Sequence, residues 1–257
     1  KVVEESLEKT GISKGAVVVL NSHTNEILAT ASVPSFNPND VSASLNSNDS
    51  PFINRSLTPY SVGSVFKPIV AACALENNIN MTHNCTGSIT INGTTFKCSN
   101  NKSHGMVDMN SAMEESCNTY FIALGQKIGK EKLISLCSDF GLGKSIEIAD
   151  NFYAQSGILP SIESINSVQS LANLSFGQGK LLATPLQIAA VYCAFANGGY
   201  YREPYILKEI VDADSVVTAY YKNEINNKIL TDSICSKIGE MLSLTVSGGS
   251  GRLAKPI

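Results

Sequence analysis

The chain has 257 residues, of which 43% are hydrophobic and 16% charged, and its formal net charge is −3. A chain of this length and composition can bury a substantial core, and its negative net charge and scattered basic residues argue against a nucleic-acid-binding surface. Its apolar runs, such as residues 69–75, are far shorter than the roughly 20 residues that cross a bilayer. Residues 1–14 also lack a signal-peptide pattern. We therefore expect a globular chain with no membrane-spanning segment among these residues and no nucleic-acid partner.

Hydrophobic periodicity and turn residues divide the sequence into short elements. In the first half of the chain they predict a helix at 2–10, a hairpin of strands 16–20 and 26–32, a loop at 33–50, a helix from Ser64 to about residue 76, and a small hairpin of strands 88–91 and 94–97. In the second half they predict helices near 111–127 and 130–140, a helix from Thr184 to Asn197, a side hairpin of strands 205–211 and 216–221, and a helix from Thr231 to about residue 242. This order predicts an α/β fold in which helices flank a mainly antiparallel sheet, with an all-helical lobe after the second strand.

Ser64 and Lys67 are three residues apart, a spacing that places both side chains on one face of a helix. Proline is tolerated near a helix start, so Pro68 places Ser64 at or just before the first turn, where the helix dipole favours negative charge. A neutral lysine can take the proton of a serine hydroxyl, and apolar surroundings favour the neutral amine. The pair is a candidate nucleophile and base, although a capping serine with a solvated lysine has the same spacing.

Ser116 and Asn118 interrupt the apolar stripe of the predicted 111–127 helix with two polar side chains that face one way. We expect Asn110 to cap this helix, because Ser111 and Glu114 have a capping-box spacing. The polar pair can belong to a site with Ser64. It can also mark a break between two helices, with its side chains bonded to free carbonyl groups.

The Ser-x-x-Lys and Ser-x-Asn motifs resemble two of the three motifs of penicillin-recognising acyl-serine enzymes. The surrounding sequence resembles the transpeptidase domain of a class B penicillin-binding protein over roughly residues 12–255. The segments that carry this resemblance, in the same order as in the family, are 17–20, 26–29, 32–39, 54–57, 104–105, 116–121, 140–143 and 177–187. Several ordered matches are far more specific than either short motif alone.

The resemblance implies a D,D-transpeptidase that needs no cofactor, cross-links peptidoglycan stem peptides ending in D-Ala-D-Ala and is inhibited by β-lactams. It implies that Ser64 is the nucleophile, Lys67 its base, Ser116 a proton relay to the leaving D-alanine and Asn118 the residue that holds the substrate amide. The backbone N–H of Ser64 would donate to the oxyanion. The family further implies a membrane-anchored protein at the extracytoplasmic face of the bacterial membrane, with glycosyltransferase and divisome or elongasome partners.

The third motif of the family, Lys-Thr-Gly or a close variant, does not occur downstream of the Ser-x-Asn motif; the triplet Lys9-Thr10-Gly11 lies at the end of the predicted 2–10 helix, ahead of the first strand. Residues 247–252 resemble the glycine-rich stretch that precedes that motif. From the resemblance we expect residues 1–257 to be a partial transpeptidase domain, with the third motif and the remaining strands after Ile257. We also expect a membrane helix and a non-catalytic domain before Lys1.

Other readings of the same motifs stay open. A serine β-lactamase needs a carboxylate that activates water, and spacing alone leaves Glu163 as a candidate. A β-lactam sensor domain would be acylated and stay acylated, and a scaffold protein without the third motif would be inactive. We expect His104 to be a loop hydrogen-bonding residue, and Gln178 and Thr184 to have structural roles.

Seven cysteines contain no C-x-x-C pair and no cluster with histidine along the sequence, so we expect no metal site. Four of them lie in apolar helical patterns as small buried side chains: Cys73, Cys137, Cys193 and Cys235. Cys85 and Cys98 flank the predicted 88–97 hairpin, whose Asn92-Gly93 connection is typical of a type I′ turn. These two cysteines can form a disulfide or remain free thiols.

Overall fold

A computed structural model of the chain describes residues 2–220 and 227–254. Within these ranges the α-helices are α1 (Val2–Thr10), α2 (Lys67–Glu76), α3 (Met109–Glu114), α4 (Asn118–Ile128), α5 (Lys130–Asp139), α6 (Val168–Leu174), α7 (Pro185–Ala196) and α8 (Asp232–Ser247). The strands of the same ranges are β1 (Gly15–Leu20), β2 (Ile27–Val33), β3 (Tyr60–Ser61), β4 (His83–Cys85), β5 (Ser88–Ile91), β6 (Thr94–Lys97), β7 (Gly105–Val107), β8 (Ile146–Ala149), β9 (Phe152–Ala154), β10 (Leu182–Ala183), β11 (Tyr200–Tyr201), β12 (Glu209–Val211), β13 (Val217–Tyr220) and β14 (Asn227–Lys228). They pair two by two, and every pair is antiparallel.

Helices pack against the hairpin of β1 and β2. Its register runs from Gly15 opposite Val33 to Val19 opposite Ala29. Since side chains alternate between the two faces of a strand, Val18 and Leu20 point to one side and pack in the cluster around Ile27. Helices α1 and α7 contact β1, as expected for helices that flank an antiparallel pair.

Helix α2 is the centre of the helical core. Residues 67–74 are all buried, and α4, α5 and α8 pack around the helix. A helix that is apolar on every side is stable only where other elements enclose it. Ser64 and Val65, which precede α2 in a 3-10 turn at Gly63–Phe66, are exposed. The N-terminal end of this buried helix therefore opens to the surface at Ser64.

The predicted fold class is confirmed, and most of the predicted elements are found. Helix α1 and the hairpins of β1 with β2 and of β5 with β6 lie where the sequence placed them. Asn92 and Gly93 have φ angles of 45° and 79°, as a type I′ turn requires. Thr184 caps α7 through its hydroxyl, which accepts a hydrogen bond from the Gln187 backbone. The side hairpin is also present as β12 and β13, although residue 221 of the prediction lies outside the described residues.

Three predicted details are wrong. The helix expected at 111–127 is two helices, α3 and α4, separated at residues 115–117. Its N-cap is Asp108 and not Asn110, because the Asp108 carboxylate accepts a hydrogen bond from the backbone of Ser111 and completes a capping box with that serine. Helix α8 continues to Ser247, beyond the predicted end near residue 242. Helix α6 and the hairpin of β8 and β9 have no counterpart among the predicted elements.

Among the described residues, none of the helices combines the length and the apolar character that a membrane-spanning helix requires.

Candidate active site

A glycine contact fixes the turn that carries Ser64. Gly63 has a φ of +66°, and its N–H donates to the carbonyl of Gly177 over 2.7 Å. Gly177 itself has a φ of +77°, and a Cβ atom there would lie 2.0 Å from the carbonyl oxygen of Gly63. Only glycine permits this approach of two backbone segments. The contact between residues 63 and 177 thus sets where Ser64 enters the first turn before α2.

Lys67 lies between both serines of the two motifs. Its Nζ atom is 3.1 Å from Ser64 Oγ and 2.9 Å from Ser116 Oγ. It also donates to the Ser116 carbonyl over 2.6 Å and to Asn118 Oδ1 over 2.7 Å. The predicted grouping of these four residues is present in the fold, and the alternative of a solvated lysine is wrong because Lys67 is only 1% exposed.

Burial makes Lys67 a stronger candidate for proton transfer than its sequence spacing alone indicates. None of its four hydrogen-bonding partners is a carboxylate. Phe121 also covers the amine, with its ring centroid 5.7 Å from Nζ. Desolvation therefore lowers the pKa of the ammonium group from 10.5 to about 8, despite opposing contributions from Cys117 and Cys98. A substantial fraction of the amine is neutral near physiological pH.

The loop between α3 and α4 presents Ser116 in an uncommon backbone conformation. Ser116 has a φ of +53°, in the left-handed region that residues with a Cβ atom rarely adopt. Backbone hydrogen bonds on both sides hold it there: the N–H of Ser116 donates to Met113, and that of Cys117 donates to Ala112. Ser250 also donates its N–H to the carbonyl of Glu114 over 2.9 Å. The break between the two helices, which the sequence left open, therefore directs Ser116 toward Lys67.

Asn118 connects this loop to a strand. Its Nδ2 group donates to the carbonyl of Lys97, at the end of β6, over 2.8 Å, while its Oδ1 accepts from Lys67. One amide thus links the lysine to the edge of the β5–β6 hairpin. Asn118 also lines the cleft, where part of its hydrogen-bonding capacity can serve a ligand.

A cleft of about 530 Å³ opens in front of these residues. Ser64, Ser116 and Asn118 form part of its wall, and the glycine-rich segment from Gly248 to Arg252 faces them. His104 and Glu115 also line the cleft, and sequence reasoning missed Glu115. Its carboxylate pairs with Lys102 over 2.5 Å, and this hydrogen bond lowers the pKa of Glu115. Glu115 directly precedes the Ser-x-Asn motif, and this position was the sequence feature that could have identified it as a residue of the cleft.

The remaining candidates have the following positions. Glu163 is exposed and is not among the residues that line the cleft, so the geometry gives it no role near Ser64. Gln178 accepts a hydrogen bond from Ser61, and Thr184 is the buried cap of α7. His104 donates its backbone N–H to the Cys85 carbonyl, as expected of a loop residue.

The cysteines show an arrangement that their spacing did not predict. All seven are buried free thiols, as expected for Cys73, Cys137, Cys193 and Cys235. Cys85 Sγ and Cys98 Sγ are 3.7 Å apart, so the structure shows the free-thiol alternative and not a disulfide, which requires about 2.05 Å. These two, Cys117 and His104 bring their ligand atoms within 4.8 Å of one another. The fold thus forms a Cys/His cluster that the spacing along the sequence did not indicate.

A buried lysine between the serines of Ser-x-x-Lys and Ser-x-Asn, on a fold of helices and antiparallel strands, defines a penicillin-recognising type of site. Residues 15–256 match the family described as the penicillin binding protein transpeptidase domain, and the chain belongs to this family.

Individual relatives agree with this assignment. The chain is 34% identical over 245 residues to stage V sporulation protein D of Bacillus subtilis (strain 168), a match covering 92% of this chain and 37% of that protein. A crystal structure of the D,D-transpeptidase domain of a peptidoglycan glycosyltransferase from Eggerthella lenta has a TM-score of 0.88 at 27% identity, over 98% of this chain and 66% of that one. The penicillin G acyl-enzyme complex of penicillin-binding protein A from M. tuberculosis has a TM-score of 0.84 at 26% identity, over 96% and 59% of the two chains. The chain thus spans well under half of the sporulation protein's length.

Proposed function

We propose that the protein is a serine D,D-transpeptidase that cross-links peptidoglycan stem peptides ending in D-Ala-D-Ala and is inhibited by β-lactams. The observation that carries this proposal is the buried Lys67 amine in hydrogen-bonding contact with the hydroxyl groups of both Ser64 and Ser116. The D,D-transpeptidase domain and the penicillin G acyl-enzyme among the structural relatives support it.

Ser64 is the nucleophile in this proposal. Its Oγ attacks the carbonyl carbon of the penultimate D-alanine, while neutral Lys67 takes the hydroxyl proton. The backbone N–H of Ser64, at the start of the helix, donates to the oxyanion that forms. Ser116 passes a proton to the nitrogen of the leaving D-alanine, and the C–N bond breaks. An ester of Ser64 remains, and the amine of a second stem peptide attacks this ester to form the cross-link and release Ser64.

Asn118 is the proposed substrate-binding residue. It lines the cleft and is fixed at both ends of its amide by Lys67 and the Lys97 carbonyl. A side chain held in this way can hydrogen-bond a peptide amide of the substrate without losing further rotamer freedom. The cleft is therefore preorganised for an extended peptide beside Ser64.

The cellular setting follows from the proposed chemistry. Stem peptides of peptidoglycan lie outside the cytoplasmic membrane, so the proposed location is its extracytoplasmic face, through a membrane anchor. Proposed partners are a glycosyltransferase and the division or elongation machinery that supplies nascent peptidoglycan strands.

Penicillin is expected to form a stable covalent adduct on Ser64 in the protein expressed from its complete reading frame. Intact-protein mass spectrometry and peptide mapping measure the added mass and its position. Ser64→Ala should abolish the adduct, whereas Ser61→Ala, which changes an exposed serine three residues away, should retain it. An adduct on another residue, or none on the folded protein, would contradict the proposal.

Two further assays separate the alternatives. A synthetic tripeptide ending in D-Ala-D-Ala should lose its terminal D-alanine in a reaction that requires Ser64. If the protein forms the adduct but never releases D-alanine, it is a sensor and not a transpeptidase. If it hydrolyses penicillin with rapid turnover, it is a β-lactamase.

Acylation is expected to accelerate as the pH rises through about 8, because the neutral form of Lys67 is the base and burial lowers its pKa to about that value. Below this pH most of the amine is protonated, and the rate should fall by about tenfold per pH unit. Above it the rate should level off. The measurement is the second-order rate of labelling by a fluorescent penicillin between about pH 6 and 9.5, and a flat or falling profile would remove Lys67 from the role of base.

A further inference from the structure

A Cys/His cluster lies directly behind the Ser-x-Asn loop. Its four members come from separate segments: Cys85 ends β4, Cys98 follows β6, His104 precedes β7, and Cys117 lies between Ser116 and Asn118. The antiparallel pair of β4 and β7 brings Cys85 and Gly105 opposite each other, which places His104 beside Cys85. The pairing of β5 with β6 returns the chain to Cys98. The fold thus converges three sulfur atoms and one imidazole on one point.

The distances within the cluster fit a tetrahedral metal site. Cys98 Sγ lies 3.7 Å from Cys85 Sγ and 3.9 Å from Cys117 Sγ, and Cys85 Sγ lies 3.3 Å from His104 Nδ1. Around zinc, with Zn–S bonds of about 2.3 Å and Zn–N bonds of about 2.0 Å, two sulfurs are about 3.8 Å apart and a sulfur and a nitrogen about 3.5 Å. These three separations match this geometry, and all four ligand atoms lie within 4.8 Å of one another. The sulfur–sulfur separations are far longer than the S–S bond of a disulfide.

The surroundings of the cluster suit bound thiolates. Cys85 and Cys117 are 0% exposed and Cys98 is 4% exposed, while His104 is half-buried at the cleft wall. The backbone N–H groups of Asn118 and Thr119, at the start of α4, donate to Cys98. A helix N-terminus favours negative charge, and such outer hydrogen bonds orient and stabilise metal-bound thiolates. Thr119 Oγ1 also lies 3.4 Å from Cys117 Sγ and 3.2 Å from His83 Nε2, so the outer layer of hydrogen bonds continues into β4.

We propose that Cys85, Cys98, His104 and Cys117 bind one structural zinc ion that fixes the Ser-x-Asn loop. Three cysteines and one histidine form a closed ligand set for zinc, which leaves no open position for catalysis. Soft thiolate ligands in tetrahedral geometry also exclude magnesium and calcium, which take oxygen ligands.

The site would couple metal binding to the position of the catalytic residues. Because Cys117 is bonded to both Ser116 and Asn118, a metal ligand at Cys117 restrains the loop that places these side chains on Lys67. Cys98 directly follows Lys97, whose carbonyl accepts from Asn118. The zinc ion would therefore restrain two backbone positions next to Asn118: Cys117, which precedes it in the chain, and Cys98, which follows the Lys97 carbonyl that Asn118 contacts.

The test measures metal content and ligand chemistry, independently of any activity. Protein from the complete reading frame, purified under reducing conditions without chelators, is expected to contain about one zinc per chain by elemental analysis. Replacing zinc by cobalt should give thiolate-to-cobalt charge-transfer bands and the intense ligand-field bands of a tetrahedral ion. Cys98→Ser and His104→Ala should each weaken metal binding by at least about tenfold in competition with a chromogenic chelator. Cys193→Ser changes a buried cysteine of α7 outside the cluster, and this variant should bind the metal as the unaltered protein does.

A second test uses the unaltered protein, so its outcome does not depend on whether a variant folds. The unaltered protein can be stripped with a chelator and returned to zinc while its Tm is followed, and the Tm should rise with zinc and saturate at about one equivalent. Failure of the reduced, folded protein to bind zinc or cobalt would refute the site. A disulfide between two cluster cysteines in metal-free protein as isolated, or iron that zinc does not displace, would also refute the assignment.

Discussion

Replacing Lys67 with methionine is expected to slow acylation of Ser64 by about 10²–10⁴-fold, the usual contribution of a positioned base. Methionine is apolar and of similar length, so it can occupy the enclosed position among Phe121 and the start of α2 without leaving a buried charge. The substitution removes the group that contacts both serine hydroxyls. The measurement is the second-order rate constant for a fluorescent penicillin, together with Tm.

The control for this change is Lys132→Met, which replaces an exposed lysine of α5 with the same side chain. It should acylate at the normal rate. Tm of Lys67→Met should change little, because loss of the hydrogen bonds to Ser116 and Asn118 is offset by removal of a desolvated ammonium that has no carboxylate partner. A Lys67→Met protein that reacts as fast as the unaltered protein would exclude Lys67 as the base, whereas a large fall in Tm would mean that the amine has a structural role.

The Ser64 and Lys67 pair could be predicted from sequence because its geometry is local. Three residues of separation and a proline at the helix start suffice to place both side chains on one face. Burial of Lys67 could not be deduced in the same way, since it depends on α4, α5 and α8 packing around α2. That burial is what lowers the pKa of the amine, so the chemical property of the site arises from tertiary structure.

The Ser-x-Asn loop shows where local rules fail. The sequence analysis placed the cap at Asn110, whereas the structure has it at Asp108, two residues earlier, in a capping box with Ser111. Likewise, an apolar stripe across residues 111–127 favours one helix, but the structure has two helices with a break between them. At this break Ser116 has a left-handed backbone conformation, and the backbone of Ser250 hydrogen-bonds to that of Glu114. Polar residues inside an apolar stripe were the signal of that break.

The Cys/His cluster was missed for a related reason. Familiar zinc motifs hold pairs of ligands close together in sequence, whereas here the four ligands extend from Cys85 to Cys117 on separate segments. Two antiparallel pairings, of β4 with β7 and of β5 with β6, are needed before the sulfurs meet. The hairpin of β5 and β6 was predicted correctly, but the pairing of β4 with β7, which brings His104 to Cys85, was not.

Gly177→Ala is expected to impair both stability and acylation, because this glycine is where a distant segment fixes the Ser64 turn. The new Cβ atom would lie 2.0 Å from the carbonyl oxygen of Gly63 and 2.8 Å from Phe66 Cβ. These atoms belong to the backbone and the base of a buried side chain, so the turn before α2 must move. Forced overpacking typically costs about 1–3 kcal/mol, and a 1 Å displacement of a reacting group can slow a reaction by about 10²-fold.

Gly93→Ala is the matched control, because it separates this clash from the conformational cost of alanine at positive φ. Gly93 has a φ of +79°, nearly that of Gly177 at +77°, but a Cβ atom there meets nothing within 4 Å. Both variants share a left-handed penalty of about 1–2 kcal/mol, so only Gly177→Ala should add the clash and lose acylation. Urea unfolding and penicillin labelling of the two variants measure these effects. Equal stability losses, or normal labelling of Gly177→Ala, would show that the contact between residues 63 and 177 does not set the position of Ser64.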